Sequence, residues 1–397
     1  ALSSFRERFS PDKLSQITDD ELLTTLFLNT QSTNNSLCYY LEFDNRIKGY
    51  FGSISGGSSY KFGLFQQQKD GKWLTGAPKA PVELTSEQAL DLGKTIRDAL
   101  VHGCEIIGSS TLQTCEDYEA LDKRLNDEIG VYATYSWVQK YFQMIFQDKL
   151  VGVYADELQS HMLYGFGIKP SDKKYGRNGQ LSLICRNTGL IPTFFQEMCY
   201  QLFGPIRHFI RLGSSDDQTN HAADWRRQSL IAVGWNDVGD LVDYLKEGQL
   251  DKEKLAAKLQ ELYYPDDSRT ASRKAGEIKT FYEAAKDDVF VIMDGDNLIG
   301  FVDQLSPYFF DEDQPMANCR EGIWHTPFVE GDKLPTTEGL RTTCYPIKKE
   351  ENILYLYMKY FSHDIIQPVA NVQEEEVTLE PDWSEQERKF RNWMAVQ

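Results

Sequence analysis

The sequence predicts a multidomain α+β protein that includes a small β-barrel with flanking helices. The chain has 397 residues, more than one typical domain holds, and suggests three. Hydrophobic residues make up 41% and aromatic residues 13%, enough to fill several cores. The apolar pattern also changes by region: residues 1–125 mix strand and helix signals, 126–212 read as helical, and 213–361 combine two strand signals with helices.

In the first region, Asp19-Asp20-Glu21-Leu22-Leu23 opens a helix, with acids where the helix dipole favours them. Ser36 to Phe43 is an apolar run that reads as a strand. Gly52 to Ser59, rich in glycine and serine, reads as a bulged strand or hairpin that also lets backbone approach a ligand closely. Lys69-Asp70-Gly71-Lys72-Trp73 is a hairpin turn. Thr85-Ser86-Glu87-Gln88 starts a helix that runs to about Gly103, with a hydroxyl cap and an early acid.

In the second region, Trp137, Lys140, Tyr141, Met144 and Ile145 recur at helical spacing, a stripe that reads as core packing. Pro170 to Gly179 is a polar loop, and Gly189 and Pro192 separate two further helices.

In the third region, Leu230-Ile231-Ala232-Val233 is a buried strand that ends in Gly234-Trp235 and a turn of Asn, Asp and Gly. Leu250–Tyr263 and Gly276–Ala285 are amphipathic helices. Val289–Met293 and Leu298–Val302 form a strand pair around Asp294-Gly295-Asp296-Asn297, followed by Tyr308-Phe309-Phe310. Two strand signals, a turn and two aromatic clusters suggest a barrel with a stacking pocket. A helix follows over about 351–361. Residues 362–397 read as an acidic linker containing Glu374-Glu375-Glu376, then the start of a further helix at Trp383–Phe390, so the chain is expected to be part of a longer protein.

Net charge is −18, which argues against a surface coated in phosphate contacts. Basic residues still gather locally: Arg207, His208, Arg211, Arg226 and Arg227 before the Gly-Trp strand, and Arg269, Arg273, Lys274 and Lys279 after it. Seven cysteines without a CxxC pair, and no secretory signal, point to reduced thiols and a cytoplasmic location. No apolar run approaches the roughly 18 residues that span a bilayer, so no membrane partner is expected.

The catalytic motifs are weak. Gly93-Lys94-Thr95 resembles the end of a phosphate-binding loop, but Gln88 stands where that loop needs glycine. Asp266, Glu277 and Lys279 have the letters of a Mg²⁺-dependent nuclease, yet Glu277 and Lys279 fall on different faces of a helical segment. The six histidines lack zinc spacing, and no Ser or Cys sits in a nucleophile elbow. No catalytic residue, metal or cofactor is expected, and the chain reads as a non-enzyme.

Recognition of an extruded base needs a ring to stack on and polar groups for its edge. Trp235, Tyr308, Phe309 and Trp324 supply rings; Asn236 and Asp237 supply edge contacts; Arg226, Arg227, Arg269 and Arg273 supply phosphate contacts. The alternative is an interaction scaffold in which these rings are core.

Gly234 to Leu241 resembles the first-strand signature of EVE-type domains of the PUA-like superfamily, relatives of the YTH readers of methylated bases. Phe281 through Gly300 is similar to that family's helix, Asp-Val strand, turn and Ile-Gly strand. Trp137–Tyr141 on to Phe195, and Phe51–Gly57 with Lys61-Phe62-Gly63 and Gly71-Lys72-Trp73, resemble the region that precedes such domains in McrB-like restriction ATPases. The resemblance implies a specificity region that flips a modified base of DNA (RNA less so) onto Trp235, with Tyr308 and Trp324 closing a cage. It also implies a nuclease partner reached through an AAA+ motor that this sequence lacks. His325–Glu330 stands in place of the family's Arg-x-Val-x-Trp strand and lacks its tryptophan.

Overall fold

The computed structural model describes residues 2–28, 36–44, 51, 52, 54, 59–67, 69–77, 79–216 and 219–364. The expected linker and helix at 365–397, and most of the Gly52–Ser59 run, lie outside the described residues. The protein is mixed α and β, and its described residues fall into two compact units, one of residues up to 163 with 170–204, the other of 164–169 with 205–364.

The first unit is mainly helical: α1 (Leu2–Phe9), α2 (Pro11–Ser15), α3 (Asp19–Phe27), α4 (Leu37–Glu42), α5 (Ser86–Ser109), α6 (Cys115–Ile129), α7 (Ser136–Ile145), α8 (Asp156–Gly165), α9 (Lys174–Thr188) and α10 (Pro192–Phe203). A meander of β1 (Phe65–Gln66), β2 (Trp73–Ala77) and β3 (Ala80–Leu84) interrupts them. The expected turn at Lys69–Lys72 joins β1 to β2, pairing Phe65 with Leu74. The expected cap of α5 is a full capping box. Thr85 Oγ1 accepts the Gln88 N–H at 3.2 Å, and Gln88 Oε1 accepts the Thr85 N–H at 2.9 Å.

Two expectations fail here. Ser36–Phe43 is not a strand: Ser36 Oγ accepts the Tyr39 N–H at 3.1 Å and starts helix α4, which buries Leu37, Cys38, Tyr40 and Leu41 on no alternating pattern. Pro170–Gly179 is only in part a loop, because α9 begins at Lys174. Its last glycine serves helix packing. A Cβ on Gly179 would lie 2.1 Å from Tyr118 Cγ and 2.4 Å from Tyr118 Cβ, so α9 meets α6 where only a hydrogen fits. Tyr118 is fully buried and cannot swing away. Gly179→Ala is therefore expected to destabilise the first unit by about 1–3 kcal/mol. Urea unfolding checks this, and a loss under ~0.5 kcal/mol would show that the contact has slack.

Trp137, Tyr141 and Met144 of α7 lie in one continuous core with Phe5, Phe9, Leu100 and Tyr175, as their spacing predicts. Lys140 shares that stripe and is 0% exposed. Its ammonium donates to the carbonyls of Leu41 at 2.8 Å and Gly52 at 2.5 Å, tying the end of α4 and the Gly52 backbone to α7.

The second unit contains β4 (Phe209–Gly213), α11 (Ala222–Gln228), β5 (Leu230–Val233), β6 (Leu245–Lys246), β7 (Gln249–Leu250), α12 (Lys252–Leu262), α13 (Ser268–Glu283), β8 (Val289–Asp294), β9 (Asn297–Asp303), β10 (Phe309–Phe310), β11 (Asn318–Glu321), β12 (Ile323–His325), β13 (Cys344–Pro346) and α14 (Glu350–Asp364). The expected strand β5 and the expected hairpin β8–β9 both form.

The expected barrel does not close. The strands make open sheets, one ordered β12-β9-β8-β4-β13, with β4 and β8 parallel, and one ordered β10-β11-β5. The Gly-Trp strand and the β8–β9 hairpin thus lie in separate sheets that share one core, where Ile231 and Val233 meet Phe290, Ile292 and Val302. Only Gly322 separates β11 of one sheet from β12 of the other. A Cβ there would lie 2.5 Å from Val302 Cγ1 and 2.8 Å from the Asp303 carbonyl, so the corner accepts glycine alone. The edge strands β10 and β13 do not pair with each other, which leaves the arrangement open.

A buried cation locks this core as well. Arg320 of β11 is 5% exposed, and its guanidinium donates to the carbonyls of Ser306 at 2.9 Å, Ala284 at 2.7 Å and Phe281 at 3.2 Å. Phe281 and Ala284 lie at the C-terminal end of α13, where carbonyls lack intrahelical partners and a positive charge is favoured.

Candidate nucleic-acid interface

The residues after β5 take an uncommon turn. Gly234 keeps ordinary backbone angles, and Trp235 takes the left-handed conformation instead, with φ 64° and ψ 42°. That geometry costs a residue with a side chain about 1–2 kcal/mol. Surrounding contacts hold it. The Trp235 indole N–H donates to Tyr264 Oη at 3.0 Å, and the Lys274 ammonium lies 5.6 Å from the ring centroid. The ring is half-buried and touches two apolar clusters, that of the two sheets and that of α12 and α13.

Around it the second cluster brings Tyr263, Tyr264, Tyr282 and Tyr308, all half-buried. Tyr282 and Tyr308 pair at 5.0 Å between centroids. The Asp237 N–H donates to Tyr263 Oη at 3.0 Å. Tyr308 is fixed at both ends of its hydroxyl, which donates to Asn318 Oδ1 at 2.9 Å and accepts the Leu241 N–H at 3.0 Å. Burial pushes the hydroxyl pKa of Tyr308 well up, and that of Tyr263 up as well, so both remain neutral hydrogen-bonding groups.

The other expected pocket residues separate. The Trp324 indole N–H donates to the Leu230 carbonyl at 3.1 Å, at the end of β5 remote from Trp235, the strand being roughly 10 Å long at strand rise. The expected cage wall is thus absent. Asn236 does not present a free edge. Its amide donates to the Pro315 carbonyl at 3.0 Å and accepts the Ala317 N–H at 2.9 Å, closing the loop between β10 and β11. Phe309 is half-buried on β10 against the core of the two sheets. Asp237 is exposed, as Asn236 is, and its carboxylate lies within reach of the Tyr263 hydroxyl.

Of the expected phosphate contacts, Arg269 and Arg273 are exposed one turn apart on α13, the helix that also carries Lys274. Arg226 and Arg227 are exposed on α11, where Arg227 pairs with Asp224 at 2.7 Å. Tyr263, Tyr264 and Tyr282 were not foreseen. The Tyr-Tyr pair at the end of an amphipathic helix was the signal available, but nothing local ties it to a tryptophan near thirty residues earlier.

The nuclease constellation is not assembled. Asp266 precedes α13, and Glu277 lies about 16 Å further along it at helical rise. Buried Glu277 accepts from Lys274 and the Thr343 backbone, and Lys279 bonds to Leu250 and Glu283. Gly93-Lys94-Thr95 lies inside α5, where Lys94 pairs with Asp19 at 2.7 Å. Among the described residues no His, Cys, Asp or Glu cluster has the form of a metal site. Among the described residues no helix is long and apolar enough to cross a membrane.

The first unit holds a cleft of about 720 Å³ lined by Tyr60, Lys61, Tyr132, Tyr135, Trp137 and Tyr154 among others. The Trp137 indole N–H is buried without a hydrogen-bond partner among the described residues. Compared with known proteins, the chain matches no family model, no curated protein and no solved structure.

Proposed function

We propose that the second unit is a nucleic-acid recognition surface that stacks an unpaired base on Trp235. The observation that carries the reading is a large aromatic residue held in a strained left-handed turn with its ring half-open. Backbone strain persists where surrounding structure over-determines it, and such places cluster at binding sites. Arg269 and Arg273, exposed on the helix whose Lys274 lies 5.6 Å from the ring centroid, supply phosphate contacts, and Asp237 accepts from an exocyclic amino group, as carboxylates do from cytosine. The wider role is that of the resemblance: a specificity region that selects DNA bearing a modified base for a restriction ATPase and its nuclease. The platform is open rather than caged, so discrimination rests on stacking strength and the Asp237 contact.

The test is fluorescence anisotropy of the full chain with duplexes that carry methylated, hydroxymethylated or unmodified bases. Trp235→Ala is expected to weaken binding of the preferred duplex about tenfold to a hundredfold, the equivalent of one lost base stack. Undiminished discrimination by this variant would remove the assignment. Trp235→Gly separates strain from stacking. It should bind as poorly as the alanine variant yet be about 1 kcal/mol more stable, since glycine adopts the left-handed turn freely. Affinity must also fall steeply with salt. Salt-independent binding would favour the scaffold reading, which the internal bonds of Asn236 and Trp324 support.

A further inference from the structure

We infer that His102 is a pH-sensitive latch that fastens α5 to the C-terminal end of α6. The inference does not depend on Trp235. Spacing brings the parts together. His102 and Glu105 lie three residues apart on α5, and Arg124 and Glu128 four apart on α6, so each pair shares one face of its helix. Both ring nitrogens face carboxylates. Nδ1 lies 3.0 Å from Glu105 Oε2, and Nε2 lies 2.7 Å from Glu128 Oε2 across the helix pair. Arg124 Nε donates to Glu128 Oε1 at 2.7 Å and holds that carboxylate in place. The row Arg124, Glu128, His102, Glu105 therefore alternates in charge when the ring is protonated.

Ring chemistry makes this arrangement depend on pH. A neutral imidazole has one N–H and one lone pair, so it donates to one carboxylate and turns a lone pair towards the other. The imidazolium donates to both, and charge-assisted bonds are the stronger kind. The bonds to Glu105 and Glu128 raise the His102 pKa above its ordinary 6.5, and the bonds from Arg124 and His102 lower that of Glu128. Among the described residues no other charge acts on the ring. Asp98, one turn earlier on α5, pairs with Arg97 at 2.7 Å, and α7 meets α5 near this level through Phe142 against Gly103. Because folding raises the ring's pKa, the latch stabilises the first unit fully below the ordinary value and lets go as pH rises through the raised one. Glu128 stands just before the 3₁₀ turn Gly130–Thr134, whose Val131, Tyr132 and Thr134 line the cleft together with Leu92 and Ile96 of α5. Release of the latch therefore loosens the end of α6 that leads into this wall.

The experiment follows the full chain by NMR from about pH 5.5 to about pH 9, a range that spans histidine titration. The His102 ring resonance, assigned by its loss in His102→Gln, is expected to titrate above the ordinary histidine value. Glu128→Gln should bring it down, since one of its two carboxylates is gone. Hydrogen exchange of the amides at the end of α6 and in the following turn, corrected for the intrinsic rate, should be about two- to fivefold faster at the alkaline end than at the acidic end, the size of one lost surface ion pair. His102→Gln and Glu128→Gln should each abolish that pH dependence. Glu105→Gln, which leaves the contact between the helices, should keep it. The three side chains are between 34% and 67% exposed, so the variants are expected to fold. A ring that titrates at or below its ordinary value, exchange that does not quicken with pH, or quickening that survives in His102→Gln, overturns the inference.

Discussion

Arg320→Met is expected to lower the stability of the second unit by about 3–5 kcal/mol. Methionine has similar length and suits a core, so the effect isolates the guanidinium. Three carbonyls lose their donor together, those of Ser306, Phe281 and Ala284. Two of them close a helix end that has no other intrahelical partners. Each buried acceptor left bare costs about 1–3 kcal/mol. An opposing effect limits the sum: burial pulls the guanidinium pKa down, a sign of desolvation that methionine escapes, while the Asp288 charge works the other way. Hydrogen exchange of the β8 and β11 amides reads this unit directly. A change below ~1 kcal/mol would mean that water or backbone movement satisfies the three carbonyls.

Lys140→Met is expected to cost the first unit about 2–4 kcal/mol by the same physics. The lysine ammonium joins Leu41 at the end of α4 to Gly52, across more than eighty residues of sequence from α7. Without it two carbonyls face an apolar core. Gly52 itself cannot easily adapt. Its φ is +71°, and a Cβ there would lie 2.8 Å from Gln196 Nε2. The expected result is early local opening of α4, seen as faster exchange of its amides before global unfolding. Exchange unchanged in α4 would show that the apolar contacts of Leu37 and Leu41 suffice.

Local signals in the sequence carried much of the fold. The Thr85 cap, the Lys69–Lys72 turn and the β8–β9 hairpin each depend on residues within a few positions of one another. Misreadings arose where one residue type serves two purposes. Gly179 looks like a loop glycine but permits helix contact, and Gly176 leaves room for Ser171 of the preceding loop. Leu37–Leu41 is apolar on all sides, which short buried strands and helices share, and the Ser36 cap decided it. Barrel closure was not legible because it depends on which distant edges meet. The candidate site behaved alike. The strand mouth at Trp235 was visible, but the bonds of Asn236 to Pro315 and of Trp324 to Leu230 span large separations. Lys140 fell in the core stripe by its spacing, but its carbonyl partners were not legible, and Arg320 gave no sign at all, since a buried cation bonded to carbonyls looks like any surface cation in a list of letters.

The central sheet imposes an order on synthesis. Phe209 of β4 lies beside Val289, and Leu212 beside Cys344. When β4 leaves the ribosome, its first neighbour is roughly 80 residues from being made, about 4–16 s at ordinary translation speed. During that interval both of its edges offer unpaired amides to any passing strand. Ile210 and Leu212 make it an apolar template as well as an open one. Slowed translation between β4 and β8 is therefore expected to raise aggregation of nascent chains more than the same delay placed after β13.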